Sequence, residues 1–177
     1  MAHIETGSDE WTVLQEKVSR AGGAIGMAKR RIFYSRSLAK CGKSPVICSG
    51  VFMLEPQNIE LGNRVLMNRG VYISALAKIR IGNDVLMGPY VHINSNNHRF
   101  EDPAVPILDQ GKDHKPIVIE DDVWVCASVV ITAGSHIGRG SVVMAGAVVS
   151  GKVEPYSIIG GVPARFVGRR GQDWKKK

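Results

Sequence analysis

Histidine and cysteine are the residues of this chain best suited to chemistry near neutral pH. The chain has five histidines, and a histidine can accept a proton there because its imidazole titrates close to neutrality. His98 opens a long segment rich in charges and prolines, which makes it the candidate base. The other four lie in polar segments or at outward positions of a repeat, and we interpret them as structural or solvated: His3, His92, His114 and His136.

The three cysteines, Cys41, Cys48 and Cys126, argue against a structural zinc site. They form no Cys-x-x-Cys pair, and their odd number disfavours the disulfide framework of a secreted protein. The polar, acidic N-terminus is unlike a signal peptide, and no apolar run approaches the roughly 20 residues of a membrane-spanning helix. The sequence therefore predicts a cytoplasmic protein.

The composition fits one globular domain built from many short strands and turns. The chain has 177 residues, of which 44% are hydrophobic and only 6% aromatic, with 20 glycines and 8 prolines. Glycine supplies the positive φ angles that turns require. This composition disfavours both a helical bundle and a disordered chain.

The net charge of +7 is concentrated at the two ends of the chain. Residues 17–54 include eight basic and no acidic residues, and residues 165–177 include six basic and one acidic. The middle, residues 55–164, has nine basic and eleven acidic residues. Because the excess is local, we expect no nucleic-acid partner. The basic flanks suit a phosphate-rich ligand or an anionic membrane, or serve only solubility.

An internal repeat organises the middle of the chain. The segments that begin at Ile47, Met67 and Met87 align at a spacing of twenty residues, and each period divides into units of six. Fourteen units have Ile, Leu, Val or Met first, and twelve of them have Val, Ala or Ser at the fifth position. The units begin at Ile47, Met53, Leu61, Met67, Ile73, Ile81, Met87, Ile93, Ile119, Val125, Ile131, Ile137, Val143 and Val149. The pattern predicts a stack of about five triangular coils, whose first and fifth residues point inward.

One insertion interrupts the repeat. The units that begin at Ile93 and Ile119 start twenty-six residues apart, whereas a spacing of eight residues is the rule at this corner. The insertion, at residues 98–116, mixes charges with proline and glycine and fits neither a strand nor a long helix. A long loop in a repeat whose other connections are short is usually functional or disordered.

Residues 8–40 are predicted to be helical, with a break at Gly22-Gly23. Either Ser8 or Thr6 suits the N-cap. The second half places its small and apolar residues near one face and its basic residues elsewhere; the first set is Ile25, Ala28, Ile32 and Ala39. That face can pack on the end of the coil stack or on another subunit. The alternative is a basic helix that contacts a membrane surface.

Several motifs together resemble the hexapeptide-repeat acyltransferases, and most closely the sugar O-acetyltransferases, including the maltose, galactoside and polysaccharide acetyltransferases. The motifs are the hexapeptide units, the loop opened at Asn97-His98, the run Val123-Trp-Val-Cys-Ala127, and Tyr156-Ser-Ile-Ile-Gly-Gly-Val-Pro-Ala-Arg165. The likeness covers about residues 44–170. It implies an all-β fold, a left-handed parallel β-helix, together with a homotrimer that has active sites between adjacent prisms, and acetyl-CoA as donor.

This resemblance suggests three segments. An N-terminal helical segment spans residues 1–43, the β-helix acyltransferase domain spans 44–164, and a short basic extension spans 165–177. Gly160-Gly161-Val162-Pro163 is expected to form a turn before the extension.

The resemblance also assigns roles near the reaction centre. His98 matches the catalytic histidine, and a base is needed because a sugar hydroxyl is a poor nucleophile until its proton is removed. Asn68 and Trp124 match residues near the acceptor, although Asn68 also suits a turn and Trp124 a subunit joint. Ala127 matches the position whose backbone N–H binds the oxyanion.

For the donor, the resemblance places Ala145 and Ser150 along the pantetheine arm. It places four basic residues near the CoA phosphates, namely Lys152, Arg165, Arg169 and Arg170. Relatives often have a Thr-Lys pair where this chain has Ser150-Gly151, and the lysine follows one residue later. Cys126 replaces a glycine, and we interpret it as a buried small residue rather than a covalent acyl carrier.

The leading hypothesis is transfer of an acetyl group from acetyl-CoA to a sugar hydroxyl, in a surface polysaccharide or its lipid-linked precursor. The alternatives are N-acetylation of a nucleotide-linked amino sugar and acetylation of an antibiotic. A zinc carbonic anhydrase of this fold would need three convergent histidines, of which only His98 is well placed, so we expect no metal. An ice-binding prism would need regular rows of outward threonine, and the chain has three threonines.

Overall fold

The computed structural model describes residues 8–172 and consists of two helices followed by a parallel β-solenoid. Helix α1 spans Asp9–Arg20 and helix α2 spans Gly23–Ser37. Ser8 caps α1, as predicted, because its Oγ accepts a hydrogen bond of 3.2 Å from the Trp11 N–H. The predicted break falls at Gly22, the N-cap of α2. Thr6 and His3 lie outside the described residues.

Short strands stack in register on the three faces of a triangular prism. Face 1 contains six parallel strands: Lys40–Cys41, Ile59–Leu61, Ile79–Ile81, Ile117–Ile119, His136–Ile137 and Lys152–Val153. Face 2 contains six more: Val46–Ile47, Leu66–Met67, Leu86–Met87, Trp124–Val125, Val142–Val143 and Ser157–Gly160. Face 3 contains five: Phe52–Leu54, Tyr72–Ser74, His92–Asn94, Val130–Ile131 and Val148–Val149. Each turn of the chain runs from face 1 to face 2 to face 3. We name each edge of the prism by the two faces that meet there, which gives edges 1/2, 2/3 and 3/1.

The core consists of the aliphatic rows that the repeat predicts. All fourteen first positions are buried, and so are eleven of the twelve small fifth positions; Ala77 is half-buried. The stack has about six turns rather than five. The difference arises because parallel pairing already begins at Lys40 and continues through Ser157–Gly160, beyond the units that the hexapeptide register marks.

The insertion forms a hairpin at edge 3/1. Asn96–His98 pairs antiparallel with Lys112–His114, and a 3₁₀ turn at Ile107–Asp109 lies between the two strands. The expectation that no strand forms here was wrong for the base of the loop, because its prolines lie outside both paired segments. At the far end of the prism, Arg165–Arg169 returns antiparallel to Ser157–Gly160 after the predicted turn.

Helix α2 packs on the first turn of the prism through the buried Arg30 and Tyr34, with Phe33 packed partly against the core. The Tyr34 hydroxyl lies 2.9 Å from both Gln15 Oε1 and Val51 O, and burial raises the pKa of Tyr34. Arg30 is also buried, and its guanidinium donates to the Ile47 carbonyl over 2.7 Å and to the Ala21 carbonyl at the end of α1. The four small and apolar residues Ile25, Ala28, Ile32 and Ala39 are instead exposed. Packing of that face on the end of the stack is therefore excluded.

Within residues 8–172, no helix combines the length and the apolar character that crossing a membrane requires.

Candidate active site

Edge 2/3 brings together three of the predicted site residues. Asn68, Ala127 and Ala145 each follow a face 2 strand, and those strands are in register. Ala127 and Ala145 therefore occupy the same position of their turns, and Asn68 lies one position earlier in its own turn, in register with Cys126. Asn68 is half-buried, and its Oδ1 accepts a hydrogen bond of 2.7 Å from the Arg69 N–H. The asparagine therefore forms the turn contact, and its amide NH₂ group is a further donor at the same edge.

Ala127 presents an unused backbone donor. Its neighbours are bonded, since the Cys126 N–H donates to Val143 O and the Ser128 N–H to Pro89 O, each over 2.9 Å. Within the described chain, the Ala127 N–H donates to no acceptor. An N–H fixed by two bonded neighbours can stabilise a developing oxyanion without reorganising.

Gly88 permits this arrangement and was missed in the sequence analysis. A Cβ at Gly88 would lie 2.6 Å from the Ala127 nitrogen, which is closer than real Cβ contacts allow. The glycine therefore lets the Ala127 turn stack directly on the turn below. The twenty-residue alignment did contain a signal for this glycine. It aligns Gly88 with Cys48 and Asn68, and Gly88 is the smallest of the three.

Cys126 lies beside these residues but is half-buried rather than buried. Burial raises the pKa of its thiol, and the hydrogen bond from the Ala145 N–H offsets only part of that rise. A thiol with a raised pKa has little thiolate at neutral pH. Its surroundings therefore favour a packing role over a nucleophilic one.

His98 lies at edge 3/1, exposed, and opposite Lys112 in the hairpin. The base of the hairpin is anchored by buried Ser95, whose Oγ accepts a hydrogen bond of 2.9 Å from the Ala77 N–H. The Ser95 carbonyl accepts another, 3.0 Å long, from the Lys115 N–H. These contacts fix the point from which the strand carries His98 away from the prism.

A basic cleft lies at the C-terminal end of the prism, next to the same edge. It has a volume of about 270 Å³, and four of the residues assigned to the donor line it: Ser150, Lys152, Arg165 and Arg169. Lys152 forms an ion pair with Glu154, Nζ to Oε1 2.9 Å, and this hydrogen bond raises the pKa of the lysine. Arg170 lies apart from the cleft, at edge 1/2, where its Nη1 is 2.7 Å from Asp122 Oδ2.

Face 3 separates these two groups of residues. Edge 2/3, with Asn68, Ala127 and Ala145, borders it on one side, and edge 3/1, with His98 and Ser150, borders it on the other. Its outward row contains no carboxylate, lysine or arginine and consists of Phe52, Tyr72, His92, Val130 and Val148. The Phe52 and Tyr72 rings stack at a centroid distance of 6.0 Å. One chain alone does not bring the two groups together.

Trp124 begins a face 2 strand, on the side of edge 1/2, and 48% of its surface is exposed. It stands in an outward apolar row with Leu86 and Val142. The outward side of face 1 differs, because it carries polar contacts such as the Arg80–Glu60 ion pair and the hydrogen bond between His136 and Glu120.

Solved structures of known proteins share this fold. A hexapeptide-repeat acetyltransferase from Vibrio cholerae, solved in complex with acetyl coenzyme A, is 28% identical, with a TM-score of 0.77. The alignment covers 94% of this chain and 92% of that one. In both sequence and fold, the chain is similar to the hexapeptide-repeat acetyltransferases. The fold of this hexapeptide-repeat protein is therefore the left-handed parallel β-helix expected from its sequence.

Two further comparisons extend this result. A maltose O-acetyltransferase from Clostridium difficile superposes with a TM-score of 0.82 at 24% identity, covering 90% of this chain and 84% of that one, which shows the shared fold. A probable acetyltransferase from Mycobacterium tuberculosis is 36% identical over 118 residues. That match covers 67% of this chain but only 39% of the relative's length. No family model matches the chain.

Metal ligands do not converge in residues 8–172. No group of three or more histidine, cysteine, aspartate or glutamate side chains there could hold a metal ion. His92 and His136, interpreted from the sequence as outward residues, indeed lie on the outer sides of faces 3 and 1.

Proposed function

We propose that this hexapeptide-repeat protein transfers the acetyl group of acetyl-CoA directly to a sugar hydroxyl. The hydroxyl oxygen attacks the thioester carbonyl while His98 accepts the hydroxyl proton. The Ala127 N–H binds the oxyanion that forms. The carbon–sulfur bond then breaks, and the protonated His98 returns its proton to the departing thiolate to release CoA. The observation that carries the proposal is the unpaired Ala127 donor on an edge shared with Asn68, while a histidine loop stands at the opposite border of the same face.

The second part of the proposal is that the site forms between copies of a homotrimer. Packing face 3 of three prisms around a threefold axis would bury the row that includes Phe52 and Tyr72. It would also set edge 2/3 of one prism beside edge 3/1 of the next. Ala127 and His98 would then border one cleft, each supplied by a different copy.

The exposed side chains of the histidine loop support the same assembly. Phe100, Ile107 and Leu108 are 69%, 56% and 83% exposed, which is unusual for large apolar residues. In the trimer the loop would cross the cleft and cover the apolar row of the neighbouring face 2, next to Trp124.

The donor and acceptor would enter this cleft from opposite directions. The CoA phosphates would lie against Arg165, Arg169 and Lys152 at the C-terminal end, because arginine suits bidentate phosphate contacts. The pantetheine arm would then run past Ser150 and Ala145 towards Ala127. At the other end, the Asn68 amide and the Trp124 ring would hold the sugar.

A thiol-release assay tests the proposal by measuring acetyl-CoA turnover with free sugars, lipid-linked glycans and nucleotide-linked amino sugars. We expect turnover with an acceptor that offers only hydroxyl groups. Turnover confined to amino sugars would overturn the hydroxyl assignment in favour of N-acetylation, the alternative retained from the sequence. No turnover with any acceptor, together with no binding of CoA, would overturn acetyl transfer itself.

A further inference from the structure

Helix α2 exposes an apolar stripe on the side that faces away from the prism. Ile25 and Ile32 are 74% and 50% exposed, and their spacing of seven residues places them on one helix face. Ala28 lies between them on that face and is also exposed. The opposite side of the helix is already occupied, because Arg30 and Tyr34 bond to the first turn of the prism.

Basic residues flank this stripe. Lys29 lies on one side of it and Arg31 on the other, and both are exposed. No acidic residue occurs between residues 17 and 54, which include eight basic ones. The α2 surface, defined as Ile25, Ala28, Lys29, Arg31 and Ile32, is therefore apolar at its centre and cationic at its borders.

The charge of the α2 surface indicates what can cover it. The same surface of a second copy is an unfavourable partner, because like charges would face one another across the contact. An anionic lipid bilayer fits both features, since isoleucine side chains enter the boundary between headgroups and acyl chains while lysine and arginine attract the headgroups.

We propose that the α2 surface binds anionic phospholipid membranes. The helix lies in the plane of the bilayer surface and does not cross it. Binding requires both the apolar stripe and the basic borders. In the trimer proposed above, parallel prisms would present three α2 surfaces at one end, which would strengthen binding through avidity; a single copy has the same surface without it.

Vesicle co-sedimentation of the full chain tests this proposal. The probes are vesicles of phosphatidylcholine alone and vesicles that contain about a third phosphatidylglycerol. We expect the protein to sediment with the anionic vesicles and not with the neutral ones, and to dissociate as salt increases because headgroup attraction is screened. Failure to bind the anionic vesicles at low salt, or equal binding to both compositions, would overturn the proposal.

Two pairs of matched variants separate the apolar and basic contributions. Ile25→Ser with Ile32→Ser removes the stripe, and Val13→Ser, at an exposed apolar position on α1, is its control. Lys29→Gln with Arg31→Gln removes two charges, and Lys43→Gln with Lys78→Gln removes two charges elsewhere. We expect each α2 double variant to lower the bound fraction at least fivefold and each control to change it less than twofold.

Circular dichroism and light scattering complete the test. All variants should retain the wild-type spectrum, because the substituted side chains are exposed. Unchanged vesicle binding by either α2 double variant would contradict the proposal. A change in oligomer mass confined to the α2 variants would also contradict it, since the surface would then be a contact between copies.

Discussion

His98 and Ala127 divide the proposed reaction between a proton acceptor and an oxyanion donor. The base stands on a hairpin strand at one edge of face 3, and the donor lies in a turn at the other edge. The base and the donor respond to different substitutions. A side-chain substitution removes the base, whereas the backbone donor responds only to residues that support its peptide, such as Gly88.

We expect His98→Ala to lower kcat by roughly 10²- to 10⁴-fold, the usual contribution of a positioned base. The affinity for CoA and the oligomer mass should not change, because His98 is an exposed loop residue. Steady-state kinetics with a confirmed acceptor measures this, with His114→Ala from the same hairpin as the control. Near wild-type turnover by His98→Ala would remove it from the mechanism.

Gly88→Ala should act through the neighbouring turn. The new methyl group must displace the Ala127 peptide, which lies 2.6 Å from the ideal Cβ position. We expect kcat to fall by roughly 10- to 100-fold, somewhat less than the about 10²- to 10³-fold typical for the loss of an oxyanion donor. Gly22→Ala is the control, because its Cβ meets no atom within 4 Å. A kcat equal to that of the control would argue against the Ala127 donor.

At the scale of elements, the docking of α1 and α2 on the prism depends on a few buried polar contacts. Gln15 Oε1 accepts a hydrogen bond of 2.8 Å from the Met53 N–H, and the Tyr34 hydroxyl oxygen lies 2.9 Å from the same atom. Arg30 joins the end of α1 to the first turn through backbone carbonyls. These contacts orient α2, so they also decide that Ile25 and Ile32 face away from the prism.

Tyr34→Phe should destabilise the fold by about 1–3 kcal/mol, because it leaves the Val51 carbonyl buried without its hydroxyl donor. The effect depends on pH. Burial raises the folded-state pKa of Tyr34 above its unfolded value of about 10, so the tyrosine stabilises fully below that pH and less as the pH rises towards the folded pKa. The difference in melting temperature between variant and wild type should therefore shrink above about pH 10.

Thermal denaturation between neutral and alkaline pH measures this dependence. Tyr90→Phe is the control, because Tyr90 is 68% exposed and its hydroxyl contributes little to the core. A Tyr34→Phe variant as stable as this control at neutral pH would contradict the prediction.

At the scale of the whole molecule, two features of the prism suit the proposed assembly. One is the uncharged, partly aromatic row on face 3, and the other is the basic cleft at the C-terminal end. The first would be covered by neighbouring copies, while the second would stay open to a phosphate-rich donor. The apolar surface thus lies on face 3, whereas the basic residues lie at the C-terminal end of the solenoid.

Light scattering should give three times the chain mass at micromolar concentration. Tyr72→Glu would place a charge in the face 3 row, where it would be desolvated on assembly, so we expect this variant to dissociate. Val118→Glu, on the outer side of face 1, which the proposed assembly leaves uncovered, is the control. A monomeric wild type, or a trimer unaffected by Tyr72→Glu, would argue against packing through face 3.

Arg165→Gln and Arg169→Gln should each weaken CoA binding by roughly 10- to 100-fold, the range for one charge-assisted hydrogen bond. The wild-type affinity should fall as salt increases, and the variants should show a weaker dependence. Calorimetry at several salt concentrations measures both effects. The control is Arg64→Gln, because Arg64 pairs with Asp84 at edge 1/2, away from the cleft. Equal losses in all three variants would indicate a general charge effect instead of a phosphate site.

The sequence by itself determined the repeat and therefore the fold. The hexapeptide pattern predicts which residues point into the prism. Every first position of a unit, from Ile47 to Val149, is buried as predicted. The same local logic gave Ser8 as one of two candidate N-caps and placed the helix break at Gly22-Gly23, since capping depends on neighbouring residues. It also marked the insertion that carries His98, although not the hairpin at its base.

Only the tertiary structure decided which residues share an edge. The sequence does not show that Arg165 and Arg169 line one cleft while Arg170 turns to Asp122, because that depends on how the last strand returns. Nor does it show that Ile25 and Ile32 face away from the prism, since the buried side of α2 carries Arg30 and Tyr34 against the usual apolar rule. In each case the deciding contacts join residues far apart in the chain, and such contacts cannot be predicted from a local sequence pattern.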